Sequence, residues 1–97
     1  MRRARIQKLR IPLKVHEAHI VENLVKQVVA EAQKRKATKV TKVNVALGEA
    51  LGFDADAIRL YYQTISEGTI AAGAKVDIHW VIAGRDIYIE NIEIETE

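Results

Sequence analysis

The stretch from His16 to Lys36 reads HEAHIVENLVKQVVAEAQKRK and predicts the first helix of the fold. Its apolar residues recur at spacings of three and four, as in an amphipathic helix that buries one face. They are Ile20, Val21, Leu24, Val25, Val28, Val29 and Ala32. The basic run at residues 34–36 suits a helix C-terminus, where cations meet the negative end of the helix dipole. A stripe this broad must pack against another layer of structure.

The flanking segments alternate between apolar and polar residues, which is typical of strands with one buried face. Residues 9–15 alternate around Pro12. Because proline cannot donate a backbone hydrogen bond, we expect this strand at a sheet edge. Residues 40–47 predict a second strand that ends at Gly48. A second helix then follows, capped by Asp54 or Asp56. Its apolar positions are Ile58, Leu60, Tyr61, Tyr62 and Ile65, and it should end near Gly68.

The remaining residues predict two strands joined by a short turn at residues 83–85. Val76, Ile78 and Trp80 share one face of the first strand, and we expect them in the core. The second strand begins at Ile87, and its apolar positions shift phase between residues 89 and 92. A β-bulge near residues 90–91 would keep one face buried. The resulting order predicts an α+β fold, with two amphipathic helices packed on one face of a small mixed sheet of three to four strands.

The length and composition limit the classes of protein to which the chain can belong. The chain has 97 residues and no cysteine, which predicts a single domain over residues 1–97 without disulfides or a cysteine-based zinc site. No apolar run is long enough to cross a bilayer, and the N-terminus lacks the apolar stretch of a secretory signal. We expect a cytoplasmic protein with no membrane partner.

Charge is distributed unevenly along the chain. Residues 1–14 carry six positive charges and no acid, whereas residues 86–97 carry five negative charges and no base. We expect the two ends to pair with each other. Nucleic-acid binding by the basic segment is the alternative. It is not favoured, because no recognised motif or interleaved aromatic residue accompanies the charges.

Four segments, taken in order, carry a family resemblance: HEAHIVENL (16–24), KVTKV (39–43) leading into LGE (47–49), EGTIAAGA (67–74), and GRDIYI (84–89) followed by IE (92–93). Together they resemble the HypA/HybF family of nickel-insertion accessory proteins of hydrogenase maturation, over residues 15–95. The resemblance implies an α/β nickel-binding domain. It also implies a maturation GTPase and the large subunit of a nickel enzyme as partners.

The resemblance further implies a nickel site at the start of the first helix. In the family the mature chain begins Met-His-Glu, and nickel is held by the terminal amine, backbone nitrogens and the histidine imidazole. Carried over, His16 would supply the imidazole and Glu17 a backbone nitrogen or a nearby carboxylate. His19 lies one turn further along the same helical face and could join His16. The histidines are one residue too close for a metalloprotease His-Glu-x-x-His motif.

This sequence departs from the family pattern in two ways. The family inserts a zinc ribbon with paired Cys-x-x-Cys motifs between its last two strands, where this chain has a short turn, so we expect no zinc. His16 is also preceded by a basic extension, residues 1–14, which we expect to form an edge strand, so no free terminal amine lies beside it. The alternative is that Val15 is the start of translation, read as Met, with residues 1–14 upstream of the protein.

Two hypotheses for the function follow. The first is an accessory protein of nickel-enzyme maturation that binds or delivers Ni(II), docks maturation partners, or does both. The second is a metal-free interaction subunit or adaptor of a larger, hydrogenase-related complex. A homo-oligomer is a further alternative for the partner. We expect no enzyme, since the single serine, Ser66, has no histidine or acid in a catalytic pattern. His79 and Asp77 share a strand face that we interpret as an exposed polar ladder.

Overall fold

The computed structural model describes residues 1–10 and 17–97. Its elements are β1 (Arg2–Arg10), α1 (Glu17–Lys34), β2 (Lys39–Gly48), a 3-10 turn (Glu49–Leu51), α2 (Ala55–Ile65), β3 (Lys75–Val81) and β4 (Ile87–Thr96). Both helices pack on a mixed four-stranded sheet around one apolar core. The α+β fold class predicted from the sequence is therefore confirmed.

The four strands lie in the order β1-β4-β2-β3. The connection between β2 and β3 runs through α2, and these two strands are parallel. β4 is antiparallel to both β1 and β2. The edges of this sheet are therefore β1 on one side and β3 on the other. β4, which follows every other element in the sequence, lies inside the sheet.

The edge strand expected in the basic extension is present, and it overlaps the segment predicted over residues 9–15. β1 covers Arg2–Arg10, and the rest of the predicted segment, 11–15, lies outside the described residues. The basic residues of β1 pair across the sheet with the acidic strand β4. Arg5 contacts Glu93 at 3.0 Å and Arg3 contacts Glu95 at 3.7 Å. Pairing between the two ends of the chain is thus confirmed.

The β-bulge predicted near residues 90–91 is present. Asn44 of β2 is opposite Asn91 of β4, whereas the next residue, Val45, is opposite Ile89. Glu90 is the extra residue, which brings Ile87, Ile89 and Ile92 onto the buried side. Asn44 donates to the Asn91 side chain at 2.6 Å on the opposite face. The phase shift in the sequence therefore reports a real irregularity in the ladder.

The core is formed by the α1 stripe, the inward residues of all four strands and part of α2. Six α1 residues are buried: Ile20, Val21, Leu24, Val25, Val28 and Ala32. The predicted cap of α2 is Asp54, whose side chain accepts from the Asp56 amide at 2.9 Å. From α2, Ile58 and Tyr62 are buried.

Two residues predicted to be apolar packing positions are exposed. Trp80 is 49% exposed and Leu60 62%. Of the two adjacent tyrosines of α2, Tyr62 is buried and Tyr61 is exposed. Trp80 continues the face of Val76 and Ile78, but β3 is an edge strand and Trp80 is next to its last residue. Alternation identifies which face a residue belongs to, but it does not say how far the helix layer extends over that face. The expectation that Trp80 is core is therefore wrong.

Candidate metal-binding segment and the end of the sheet

The candidate nickel segment opens α1. The connection from α1 to β2 is short, residues 35–38, so α1 runs back along the sheet, antiparallel to β2. Its first turn therefore lies toward the end of the sheet where β2 and β3 finish and β4 begins. This placement brings the segment to the same end of the domain as the turn between β3 and β4.

Glu17 is the first residue of α1, where a carboxylate is favoured by the positive end of the helix dipole. Its Oε2 atom is buried and has no hydrogen-bond partner among the residues that the structure describes. A buried polar atom left without a partner costs about 1–3 kcal/mol, and more when it is charged. Such an oxygen calls for a donor or a cation.

Of the two candidate imidazole ligands, the structure describes one. His16, the main predicted nickel ligand, lies outside the described residues. His19 lies on the first turn of α1, where it is exposed and makes a contact of its own. Within residues 1–10 and 17–97, no three or more His, Asp and Glu side chains converge on a point where they could hold a metal ion. A metal site at this segment therefore depends on His16.

The turn between β3 and β4 is short and tightly seated. Its residues, 82–86, pack against the end of β2, where Gly48 donates to the Asp86 carbonyl at 2.8 Å. The Ala50 amide donates to the Gly84 carbonyl at 3.0 Å. A Cβ atom at Gly48 would lie 2.3 Å from that Gly84 oxygen. Sequence reasoning treated Gly48 as the end of a strand and missed this contact, which only the three-dimensional arrangement reveals.

The polar side of the sheet carries the ladder that the sequence predicted. Asp77 contacts Lys42 at 3.1 Å and Lys75 at 3.8 Å. The hydrogen bond from Lys42 is the main reason that the pKa of Asp77 is lowered from its usual value. His79 reaches past β2 to β4, where its Nδ1 lies 2.5 Å from Glu90 Oε1. These groups satisfy one another and supply no third ligand, so we place no metal on this face.

Solved structures resemble the fold. The solution structure of the Ni metallochaperone HypA from Helicobacter pylori superposes with a TM-score of 0.75 at 18% identity, covering 86% of this chain and 100% of that chain. A second solution structure, of a HypA protein, gives a TM-score of 0.63 at 25% identity, covering 72% of this chain and 60% of that one. The architecture is thus that of a small α+β domain of the HypA type, and this is the class of fold to which the chain belongs.

Proteins that are similar in sequence carry the same family name as these structures. Among proteins named hydrogenase maturation factor HypA, that of Caldanaerobacter subterraneus is 40% identical over 62 residues, 64% of this chain and 54% of the relative. That of Archaeoglobus fulgidus is 31% identical over 80 residues, 75% of this chain and 73% of the relative. The Dehalococcoides mccartyi factor is 28% identical over 115 residues, 86% of this chain and 97% of the relative. This chain therefore spans about half the length of the first relative and nearly all of the last.

The family model for hydrogenase/urease nickel incorporation, the metallochaperone HypA, matches residues 15–85. The chain belongs to the HypA family. The family resemblance identified in the sequence is therefore confirmed. In the described part of the chain, no helix has the length and apolarity needed to span a membrane.

Proposed function

We propose that this chain takes up Ni(II) as cargo at residues 16–19 and passes it on during maturation of a nickel enzyme. The observation that carries the proposal is the position of the family match, which begins at Val15, directly before these residues. The buried Oε2 of Glu17 supports it, because a carboxylate oxygen with no hydrogen-bond partner among the described residues suits a cation. Transfer by ligand exchange is the step that this segment would perform, and no catalytic step is assigned to the chain.

The donor set fits nickel. Imidazole nitrogen and carboxylate oxygen both bind Ni(II), and nitrogen donors favour its square-planar geometry. His16 would provide one imidazole, Glu17 a carboxylate oxygen or backbone nitrogen, and His19 a second imidazole. The positive end of the α1 dipole opposes a bound cation, so the negative charge of Glu17 is needed to offset it. Because metal ligands must be deprotonated to bind, affinity should fall as the pH is lowered.

Calorimetric titration of the 97-residue chain with Ni(II) tests this proposal. We expect binding at one ion per chain. His16→Ala should weaken it by more than the roughly 10–100-fold that loss of an outer hydrogen-bond partner costs at a metal site. Glu17→Gln and His19→Ala test whether the other two proposed donors contribute to the affinity. His79→Ala is the matched control, because His79 is an exposed histidine outside the segment. Equal affinity in the His16→Ala and His79→Ala variants would reject the assignment.

A metal-free adaptor is the second candidate function. It is favoured by β1, which is built into the sheet upstream of the family match and contributes Ile6 to the core. On this proposal the fold is used to hold partners, for which the family implies a maturation GTPase or the large subunit of a nickel enzyme, in the cytoplasm. Affinity purification separates the two candidates. A partner retained at fixed stoichiometry in the presence of a chelator supports the adaptor, whereas retention that requires Ni(II) supports cargo handling.

A further inference from the structure

The outer edge of β3 has no neighbouring strand in the described part of the chain. Unprotected strand edges present unpaired backbone groups that another strand can bind. The last residues of β3 and the turn that follows are also apolar and exposed: Trp80 at 49%, Val81 at 38% and Ile82 at 84%. A free backbone edge and an exposed apolar end therefore coincide on one short strand.

The beginning of β3 carries a cavity of about 310 Å³. It is lined by Arg59, Tyr62, Gln63, Gly73, Ala74 and Val76. Arg59 is held in place at this cavity, since its Nε donates to the Val76 carbonyl at 3.2 Å and its Nη1 contacts Asp56 at 3.1 Å. The strand thus has a protruding indole at one end and a recess at the other.

We propose that β3 pairs with β3 of a second copy of this chain, antiparallel, about a two-fold axis at Ile78. In this register Val76 lies opposite Trp80 of the second copy, and Asp77 lies opposite its His79. A two-fold interface uses the same patch on both chains and closes after two copies. The two four-stranded sheets become one sheet of eight strands, with the helices of both copies on the same face.

The side chains complement one another in this register. Val76, Ile78 and Trp80 lie on the helix side of the sheet, so each Trp80 is directed to the cavity beside Val76 of the other copy. An indole buried there loses the half of its surface that is exposed in the single chain. The guanidinium of Arg59 at the cavity wall can stack on its face. On the polar side, Asp77 lies beside His79 of the second copy while each keeps its partner within its own chain, Lys42 and Glu90.

The other edge of the sheet is protected against the same event. β1 exposes Arg2, Arg3 and Arg5, and positive side chains on an edge strand discourage pairing between copies. The contrast between the two edges selects β3 for self-association, and it limits the assembly to two chains.

Trp80 is the single tryptophan of the sequence, so intrinsic fluorescence reports on the contact directly. We expect sedimentation to show a concentration-dependent dimer, with emission that shifts to shorter wavelength and loses iodide quenching as the dimer forms. Trp80→Ala should raise the dissociation constant on the order of 100-fold, as for a central aromatic anchor. Ala74→Leu should weaken the dimer by filling the cavity. Tyr61→Ala is the control, because Tyr61 is also an exposed aromatic but lies on α2 outside the cavity.

The register has its own test, since the chain contains no cysteine. A cysteine at the two-fold axis lies beside the same cysteine of the second chain. Ile78→Cys should therefore give a disulfide-linked dimer on mild oxidation. Ala30→Cys, on the exposed side of α1, is the control. A chain that stays monomeric at about 1 mM, the weak end of association, overturns the proposal. So does a dimer unaffected by Trp80→Ala, or cross-linking of Ile78→Cys no faster than the control.

Discussion

Replacing Gly48 with alanine tests how the β3–β4 turn is held. Gly48 has φ of −69°, so alanine fits its backbone conformation, and any cost comes from the space around it. The added Cβ would lie 2.3 Å from the oxygen of Gly84, 2.4 Å from its carbonyl carbon and 2.8 Å from the nitrogen of Arg85. All three are backbone atoms, which cannot rotate away as a side chain would. The turn must therefore shift as a whole.

The cost follows from what such a shift breaks. The turn is tied to β2 by the bond from Gly48 to Asp86 and the bond from Ala50 to Gly84. Each is worth about 0.5–1.5 kcal/mol, and overpacking adds about 1–3 kcal/mol. We expect Gly48→Ala to lower the free energy of unfolding by about 2–6 kcal/mol, out of the roughly 5–15 kcal/mol that domains possess. The melting temperature should fall by roughly 10–50 °C.

Urea denaturation followed by circular dichroism measures this difference, and a thermal scan gives the melting temperature. Gly52→Asn is the matched control, because Gly52 has no atom within 4 Å of an added Cβ and a φ of +69°, which asparagine tolerates. A Gly48→Ala protein within about 0.5 kcal/mol of the parent, the range of ordinary surface substitutions, would refute the reasoning. The turn would then not be seated on β2 as described.

Three further substitutions test the core, the polar contacts and the edge strand. Tyr62→Phe should cost about 1–2 kcal/mol by leaving the buried Ala71 carbonyl, 2.8 Å from the tyrosine hydroxyl, without its donor. Burial raises the pKa of Tyr62 above its ordinary value of 10.0, so its contribution to stability is complete below pH 10 and is lost as the pH rises further. Urea titrations from pH 9 to 11.5 should show this slope in the parent and less of it in Tyr62→Phe. Ile6→Ala should cost about 2–4 kcal/mol in a urea titration if β1 belongs to the core, and a change below 0.5 kcal/mol would contradict that. A double-mutant cycle on Arg5 and Glu93 should give a coupling of about 0.2–1 kcal/mol that shrinks in 1 M salt, and a salt-independent value would argue against an ion pair.

Much of the fold could be predicted from the sequence, because burying one face of a helix or strand gives the apolar residues a regular spacing along the chain. The α1 stripe and the strand alternations correspond to residues that the structure buries. The bulge at Glu90 could be predicted because a one-residue insertion reverses the phase of every later apolar position. The charge asymmetry predicted the partner of the basic segment, since Arg5 lies in the acid-free segment 1–14 and Glu93 in the base-free segment 86–97.

The errors arise where a property depends on neighbours distant in the sequence. Trp80 continues an apolar face, but its exposure depends on where the helix layer ends. Gly48 ends β2, as the sequence predicts, but its close contact with the turn at Gly84 depends on residues more than 30 positions later and could not be predicted. For the candidate site, family motifs indicated the segment, and the structure adds the buried oxygen of Glu17. Neither periodicity nor charge could have indicated that oxygen.

The position of β4 has a consequence for how the chain folds. It lies between β1 and β2, yet it follows both in sequence, with Arg2 paired to Thr96 and Leu47 paired to Ile87. During synthesis, β1 emerges first and has no strand to pair with until β4 has left the ribosome. The α1, β2, α2 and β3 segment can collapse earlier through nearer contacts. Because loop closure over almost the whole chain must precede the β1–β4 ladder, folding should be slow for a domain of this size. The six arginines and lysines of residues 1–14 would keep the β1 segment soluble until β4 is available to pair with it.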